Sequence, residues 1–484
     1  MSNLIRNELY KVFHKKAIYI FLFIVTAFLV LMGFLGKKEI DSFDKFNIDS
    51  QITEAEIEVS NYKTNISALT DEEKELYIEA LANLDTLELA KSKNYNTLSA
   101  EFNYIRNNIY SFYLVKNYVN EKYYDYTDLG YESVEDYNNK FNEALKKLDS
   151  FVPIEEVKND LNNLNKETVC SGINKNSCDE YFNVYKKTLE YRIKHNIPYN
   201  SETGSNTLNQ YLESYPNYIK LRDKYEKSDK DKKEEYETLK MNIKLTEYKM
   251  EHDMLEDTES EFVNSAEYIA SPLSELSIFI IFGVVVIACG IFSDEFDKGT
   301  IKQLLIKPFS RNKIALAKVI TCLISTLLFI VYFEIVNIIC GLLLIKSFDI
   351  GGLALVYDYI LGKVLALNGF ELLGLHFLYN IPYFIIFTLI ILLVSVLTRN
   401  TALSAVASFM LIVVPPFLEM LINKFEFLVY LPFYTWNLSE FMFGGKSAFK
   451  QLTFTNSLIA DIIYIILFIV GILITFKHID VKNQ

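Results

Sequence analysis

The pattern of apolar and polar residues predicts a membrane protein built from helices. An apolar run of about 18 or more residues can cross a bilayer as a helix. The chain has six such runs, and a long polar region separates the first run from the second. The predicted spans are 17–35, 276–293, 319–345, 377–398, 401–418 and 457–476. The predicted fold class is therefore an all-α integral membrane protein with six transmembrane helices.

Three parts of the chain follow from this pattern. Residues 1–37 form an amphipathic helix and the first span, and residues 272–484 form a transmembrane domain with the other five helices. Between them, residues 38–271 are predicted to be a large helical domain outside the cell. The first apolar run ends in Gly-Lys-Lys rather than in a small-residue cleavage site, so we interpret it as a retained anchor rather than a signal peptide.

The helix before the first span has an apolar side and a basic side. Leu4, Ile5, Leu9, Val12 and Phe13 line the apolar side, whereas Arg6, Glu8, Lys11 and Lys15 line the polar side. A basic amphipathic segment next to a span suits the cytoplasmic surface of a membrane.

The second and third spans make a hairpin whose connection, residues 294–318, is rich in lysine. Phe296, Ile301, Leu304 and Leu305 fall on one side of a predicted short helix that Gly299 interrupts. Pro308 ends this helix, and Ser310 is placed to cap the next one. Such a helix either lies on the lipid surface or docks into a groove of a soluble partner, and the residue pattern leaves both open.

The same connection resembles a signature of ABC-2 type transporter permeases. The matching residues are Glu295, Gly299, Thr300, Leu304, Leu305, Pro308, Ser310, Arg311 and Lys318. The resemblance covers the N-terminal span and residues 272–484, but not the polar region. It implies that the connection holds the coupling helix, which rests on an ATPase subunit, and that residues 2–16 are the elbow helix. It also implies two copies of the ATPase, which bind ATP and Mg²⁺, and a second permease subunit that is identical or related.

Charge divides the chain in the same way. Residues 36–272 carry 47 acidic and 30 basic side chains, whereas the rest carries 14 acidic and 18 basic ones. No basic domain exists to neutralise phosphates, so we expect membrane lipid but no nucleic acid as a partner. The N-terminus, residues 294–318, the turn at 399–400 and the C-terminus together hold 13 basic and 5 acidic residues. The positive-inside rule therefore places both termini in the cytoplasm and residues 38–271 outside the cell.

The cysteines and sequence motifs do not indicate a catalytic, cofactor or metal site in this chain. Cys170 and Cys178 lie in the polar region, where an extracytoplasmic disulfide and two free thiols are the alternatives, and we favour the disulfide. The sequence has no HExxH or paired CxxC motif for zinc, and residues 33–38 lack the spacing of a phosphate-binding loop. We therefore expect no catalytic, cofactor or metal site and no ATPase activity.

Several other residues carry specific expectations. Glu334, in the middle of the third span, either lines a translocation path or binds a polar group on a neighbouring helix. Asp461 is expected at a membrane interface, and the Leu-rich segments 353–367 and 370–378 are expected as helices on the outer surface. The many tyrosines of residues 38–271 suit either helix packing or a recognition surface for a cationic peptide.

Two functional classes remain. The first is the permease of an ABC exporter whose cargo is an antimicrobial peptide, an antibiotic or a lipid-like molecule. The second is a membrane-anchored sensor or binding protein whose outer domain captures a peptide. The sensor class has no need for a basic amphipathic connection with this signature, so the sequence favours the exporter.

Overall fold

The computed structural model is mostly helical and divides into two compact units. It describes residues 1–43, 48–64, 69–199, 205–225, 231–255, 265–306, 308–344, 348, 351–422 and 424–479. The membrane unit comprises Met1–Lys37 with Val263–Gln484, and the polar unit comprises Lys38–Phe262. The second boundary therefore falls nine residues before the predicted one at 272, and the short helices around 265–275 belong to the membrane unit.

The membrane unit begins with two helices and continues after the polar unit. Its helices are α1 (Ser2–Phe13), α2 (Lys16–Phe43), α13 (Ser265–Ala270), α14 (Pro272–Glu275), α15 (Ser277–Ala288), α16 (Gly290–Asp297), α17 (Ile301–Leu305), α18 (Arg311–Leu344), α19 (Gly369–Thr398), α20 (Thr401–Ile422), α21 (Pro432–Thr435) and α22 (Phe454–Lys477). Two 3₁₀ helices, Glu426–Tyr430 and Leu438–Gly444, flank α21.

Six helical segments of the described residues are long and apolar enough to cross a membrane. They are Lys16–Leu35, Ser277–Asp297, Arg311–Leu344, Gly369–Thr398, Thr401–Ile422 and Phe454–Lys477. All six coincide with predicted spans, which confirms the helical membrane class. The second and third are longer than predicted because their helices continue into the polar connection. Only residues 298–310 therefore link the two spans.

The expected helix over 353–367 is wrong, and the chain is not entirely α. Strands β1 (Leu353–Asp358) and β2 (Lys363–Asn368) pair antiparallel, with Leu353 opposite Asn368 and Asp358 opposite Lys363. Leucine content suggested a helix, but valine and tyrosine favour strands, and Asp358 stabilises the turn. Its carboxylate accepts hydrogen bonds from the backbone N–H groups of Ile360 and Leu361, both at 2.8 Å.

Residues 370–378 are helical, but they do not form a separate helix. They are the first turns of α19, which begins with a capping box between Asn368 and Glu371. The side chain of Asn368 accepts from the backbone of Glu371, and the side chain of Glu371 accepts from the backbone of Asn368. The fourth span thus starts directly at the end of β2.

Among the described residues of the polar unit, all regular secondary structure is helical. Its helices are α3 (Ile48–Lys63), α4 (Asp71–Ser92), α5 (Ala100–Asn108), α6 (Tyr110–Asn120), α7 (Val134–Asp149), α8 (Pro153–Asn162), α9 (Lys166–Val169), α10 (Lys175–His195), α11 (Ser205–Tyr225) and α12 (Asp231–Glu251). A capping box between Thr70 and Glu73 opens α4.

Tyrosines of the polar unit build much of its interior. Tyr181, Tyr211, Tyr215 and Tyr218 share one core cluster, and each is at most 8% exposed. The ring of Tyr218 stacks on that of Tyr236 with 5.6 Å between centroids. These contacts support the helix-packing interpretation for these tyrosines rather than a role as an exposed recognition surface.

Candidate functional site

Lys318 lies at the centre of a buried ion-pair network at one end of the membrane unit. Its Nζ is 2.7 Å from Oε2 of Glu8 and 3.0 Å from Oε1 of Glu295. Lys318 is 1% exposed and the two glutamates are each 8% exposed. Lys11 contacts Oε1 of both glutamates, at 2.7 and 2.9 Å. Glu8, Lys11, Glu295 and Lys318, here called the Lys318 network, thus balance two positive and two negative charges.

Helix α1 packs on α18 through a row of buried residues that includes one charged side chain, that of Glu8. Leu4, Glu8 and Val12 follow each other at intervals of four residues, and all three are buried. Residues four apart lie on the same side of a helix. The sequence prediction that Glu8 lies on the exposed polar side of α1 is therefore wrong. The spacing from Leu4 and Val12 was the signal that could have revealed it.

A second set of polar contacts holds the end of α16. The Nζ of Lys15 is 2.8 Å from Oδ2 of Asp294, and Thr401 Oγ1 donates to Oδ1 of Asp294 at 2.9 Å. Asp297 accepts from the backbone N–H of Thr401 at 2.7 Å and from the side chain of Asn400 at 3.1 Å. A carboxylate at the N-terminus of a helix satisfies its free N–H groups, so Asp297 stabilises the start of α20.

Arg311 attaches the start of α18 to the end of α22. Its Nη1 donates to the carbonyl oxygens of Lys477 and Ile479, both at 2.9 Å. The last carbonyl groups of a helix lack partners within the helix, and a cation there also complements the helix dipole. The Arg of the resembled signature therefore has a structural contact within this chain.

These contacts gather four separate parts of the chain at one end of the membrane unit. They are α1, the segment from 294 to 318, the turn at 399–400 and the end of α22. We call this assembly the foot. It contains segments of the chain in which basic residues outnumber acidic ones.

The ionisation of Glu8 and Lys11 responds to this arrangement. Burial alone would raise the pKa of Glu8, but Lys318 and Lys11 outweigh it and hold the pKa below its usual value. Burial would lower the pKa of Lys11, but Glu295 and Glu8 outweigh it and raise the pKa. Both groups are therefore charged at neutral pH, and each stabilises the charge of the other.

The residues that resemble the permease signature do not all lie in the connection. Glu295 and Lys318 lie on α16 and α18 and belong to the buried network. Gly299 has φ +66°, a left-handed conformation that glycine adopts without strain. Ser310 accepts a hydrogen bond from the backbone N–H of Lys313 at 3.4 Å, close to the predicted cap of α18. Thr300 and Pro308 are exposed.

The apolar face of the connection is partly used within the protein. Phe296 and Ile301 are only 6% and 2% exposed, and both belong to the main hydrophobic core. They are therefore not available to a partner. The side chains of Leu304 and Leu305, and Lys307 as a whole, lie outside the described residues. Among the described side chains of the connection, the exposed apolar ones are Ile306, at 83%, and Phe309, at 41%.

Glu334 lies inside the third span without a hydrogen-bond donor. It is 7% exposed, and neither carboxylate oxygen has a partner among the described residues. Two residues away, the hydroxyl group of Tyr332 is 2.6 Å from that of Thr26. Thr26 is near the middle of Lys16–Leu35, so Glu334 lies near the level of the membrane centre. In the described residues the alternative of a polar partner on a neighbouring helix is not realised.

Asp461, expected from the sequence at a membrane interface, is buried within the protein. It is 1% exposed, and its Oδ1 accepts a hydrogen bond from Thr435 at 2.8 Å. Thr435 is on α21, next to Trp436, whose ring lies 5.0 Å from that of Tyr383 on α19. The segment around α21 therefore folds in among the spans. A hydrophobicity pattern cannot reveal this, because Asp461 only gains its partner through the tertiary fold.

Cys170 and Cys178 form a disulfide in the polar unit. The other cysteines, Cys289, Cys322 and Cys340, are buried in the membrane unit. Among the described residues no group of three or more His, Cys, Asp or Glu side chains is arranged to hold a metal ion.

Comparison with known proteins places the membrane unit in a family. The family described as "Protein of unknown function (DUF2705)" matches residues 248–482, which include the last five candidate spans. The chain is 28% identical over 254 residues to "Uncharacterized protein YhcI" of Bacillus subtilis (strain 168), covering 50% of this chain and 77% of YhcI. It is 32% identical over 216 residues to "Uncharacterized membrane protein YdbK" of the same organism, covering 44% of this chain and 80% of YdbK.

No solved structure matches the chain. The six apolar helices and the likeness to YdbK identify a multi-pass membrane protein. With 32% identity over 80% of YdbK, the chain belongs to the same family as YdbK, and its residues 248–482 match the DUF2705 family.

Proposed function

We propose that this chain is the transmembrane permease subunit of an ABC exporter. A separate ATPase subunit, present in two copies, binds ATP and Mg²⁺ and supplies the energy. The chain pairs with a second permease, and its foot lies in the cytoplasm while the polar unit lies outside the cell. The resemblance to the ABC-2 signature led to this proposal, and the Lys318 network is the observation that carries it.

The network supports the proposal because it joins the two segments that such an ATPase would contact. Glu8 and Lys11 belong to α1, whereas Glu295 and Lys318 are at the inner ends of the second and third spans. A force applied to the connection therefore reaches α1 and both spans through short, buried contacts. A transporter needs such a unit, because two conformations can be switched only if the moving element transmits force as one body.

The exposed side of the connection supplies the surface for a partner. Ile306 and Phe309 are exposed, and Lys298, Lys302 and Lys313 are exposed around them. Apolar residues surrounded by lysine suit a groove with an acidic rim on a soluble protein. In this proposal Ile306 and Phe309, rather than Phe296 and Ile301, enter the groove of the ATPase.

Glu334 is the residue proposed to line the path of the cargo. A buried carboxyl group without a partner is unfavourable in a span and is typical of functional positions. The acidic charge of residues 36–272 favours a cationic peptide as the class of cargo.

Co-purification of the full chain from its native membranes tests the proposal. We expect an ATPase subunit to accompany the wild-type chain and to be lost from Ile306→Asp, because a carboxylate would be buried without a partner in the groove. Leu76→Asp, at a position 50% exposed in the polar unit, is the matched control and should retain the ATPase.

Thermal unfolding of both variants separates loss of the partner from loss of the fold. Equal unfolding midpoints with selective loss of the ATPase support the proposal. If no nucleotide-hydrolysing subunit accompanies even the wild-type chain, the exporter proposal is wrong and the sensor alternative is favoured.

A further inference from the structure

The turn between β1 and β2 holds apolar side chains out of the protein. Ile360 is 80% exposed and Leu361 is 58% exposed, although both lie in a turn, where polar residues are usual. The carboxylate of Asp358 binds the backbone N–H of both residues. Gly362 N–H donates to the carbonyl oxygen of Asp358 at 2.8 Å, which closes the turn. These hydrogen bonds hold the backbone of the turn from which both side chains project.

The opposite end of the hairpin is packed on the protein. Ala354 is fully buried in a cluster with Ala266 and Ala270 of α13 and with Leu372 of α19. This end lies beside the start of α19, since Leu353 pairs with Asn368. The two ends of the hairpin thus differ: one is anchored to helices and the other is apolar and exposed.

The turn docks on a backbone segment close to the start of α22. The N–H of Tyr359 donates to the carbonyl oxygen of Phe443 at 2.8 Å. Gly444, with φ +79°, lies against Ile360, and a Cβ there would come within 2.8 Å of Ile360 Cγ1. Nearby, the ring of Phe441 lies 6.3 Å from that of Phe454, the first residue of α22.

The start of α22 marks the boundary of the membrane. The ring of Phe454 lies 5.8 Å from that of Tyr379 on α19. At about 1.5 Å per residue, the 30 residues of α19 extend over about 45 Å, roughly 15 Å more than a hydrocarbon core. Counted from Arg399 at its other end, the excess covers about its first ten residues. Tyr379 and Phe454 are therefore at the level where the hydrocarbon region ends.

We propose that the turn Tyr359–Gly362 is a membrane anchor that inserts Ile360 and Leu361 into the lipid interface. Lys363 and Lys446 are exposed beside the turn, where ammonium groups can reach lipid phosphates while the apolar side chains enter the acyl region. Helix α22, which starts near this segment, also exposes apolar side chains such as Ile459 and Ile463, as expected of a lipid-facing surface. Lipid, rather than a protein partner, is therefore the occupant that the surroundings favour. The inference does not depend on the proposed function or on which side of the membrane the turn lies.

Site-directed labelling in lipid nanodiscs tests this anchor. The native cysteines are either buried or joined in a disulfide, so Ile360→Cys can be labelled selectively with the environment-sensitive dye NBD. We expect a blue-shifted emission and strong quenching by lipids that carry a nitroxide on the upper acyl chain. Leu353→Cys, at the packed end of the same hairpin and 43% exposed, is the matched control and should be little quenched.

A second substitution keeps the test decisive. Leu361→Asp in the Ile360→Cys protein should reduce the quenching, because a carboxylate opposes insertion into the interface. Absence of quenching at position 360 would overturn the proposal, as would equal quenching at 353 and 360, which would mean that the hairpin lies flat. Shielding of position 360 from water-soluble reagents in native membranes, without quenching in nanodiscs, would assign the turn to a protein partner instead.

Discussion

Charged side chains form buried ion pairs in the foot of the membrane unit but exposed ion pairs on the surface of the polar unit. In the foot, Lys318 and its two glutamates are almost fully buried, and the Nζ of Lys318 lies within 3.0 Å of a carboxylate oxygen of each glutamate. In the polar unit, pairs such as Lys147–Glu143 have side chains about two-thirds exposed. Exposed pairs contribute about 0–1 kcal/mol, whereas removing one partner of a buried pair costs about 3–5 kcal/mol.

This difference shows which charges carry information about function. The negative charge of the polar unit is spread over many solvated side chains, so by itself it identifies no binding site. The foot has fewer charges, but they connect segments that are hundreds of residues apart in the sequence. Such contacts specify one arrangement of α1 against the spans, because any other arrangement leaves a buried charge without its partner.

Removing the central charge of the foot should have the largest effect. Lys318→Met keeps most of the side-chain volume but leaves the carboxylates of Glu8 and Glu295 with Lys11 alone. We expect the free energy of unfolding of the membrane unit to fall by about 3–5 kcal/mol, measured by denaturant titration in detergent. The double variant Glu8→Gln, Lys318→Met should recover part of the loss, and a double variant no more stable than Lys318→Met would contradict the direct pairing.

Replacing Glu334 should stabilise the protein rather than destabilise it, since its carboxyl group is buried without a partner among the described residues. Glu334→Leu replaces a residue that opposes insertion by about 2.5–3.5 kcal/mol with one that favours it by about 0.3–0.6 kcal/mol. We therefore expect a more stable protein, detected as a higher midpoint of thermal unfolding, but a loss of cargo-stimulated ATPase activity in the assembled transporter. Glu334→Asp, which keeps the carboxyl group, is the control. Unchanged transport in Glu334→Leu would exclude a role in the path.

Substitutions of Gly299 test whether the connection needs the left-handed backbone conformation at this residue. Its φ of +66° costs a residue with a side chain about 1–2 kcal/mol, and no atom within 4 Å obstructs a Cβ. Gly299→Ala should therefore weaken coupling moderately, whereas Gly299→Pro, which fixes φ near −65°, should abolish it. The measurement is ATP hydrolysis per transported molecule. Full coupling in Gly299→Pro would argue against the connection as the transmitting element.

The foot should also weaken in acid. The pKa of Glu8 is lowered below its usual 4.5, so its stabilising contribution is complete above that value and is lost as the pH falls through the lowered pKa. Each unit by which the pKa is lowered corresponds to about 1.4 kcal/mol. Hydrogen exchange of α1 between pH 7 and pH 3, corrected for the intrinsic rate, should show this loss of protection. Glu8→Gln should remove the contribution of this group to the pH dependence.

An exposed pair in the polar unit should show the smallest effect. Lys147→Met removes the ion pair between Lys147 and Glu143, which lie one helical turn apart on α7. We expect a loss of about 0.3–0.5 kcal/mol in the free energy of unfolding of the full chain, and less at high salt. A loss as large as that of Lys318→Met would remove the distinction between the two regions.

The sequence predicted the spans well, because a bilayer demands about 20 apolar residues in a row wherever a helix crosses it. It also predicted that the polar region is helical, and helices there begin with side-chain caps such as Thr70 and Ser133. It missed the β-hairpin at 353–368, where leucine is as compatible with a strand as with a helix. Short apolar segments are ambiguous in this way.

The foot could be predicted only in part. Glu295, Arg311 and Lys318 were found through the resemblance, and Glu8 could have been found from its position between Leu4 and Val12. The pairing of Lys15 with Asp294, and of Arg311 with the end of α22, depends on how distant helices meet. No local pattern contains that information.

The side of the membrane on which the foot lies is the central claim, and labelling Ile306→Cys with a membrane-impermeant maleimide tests it most directly. Ile306 is 83% exposed, and the native cysteines are buried or joined in a disulfide. Lys450→Cys, in an exposed segment before α22 at the other end of the unit, is the matched control. We predict that inside-out vesicles label position 306 and intact cells label position 450. Labelling of position 306 in intact cells would contradict the account.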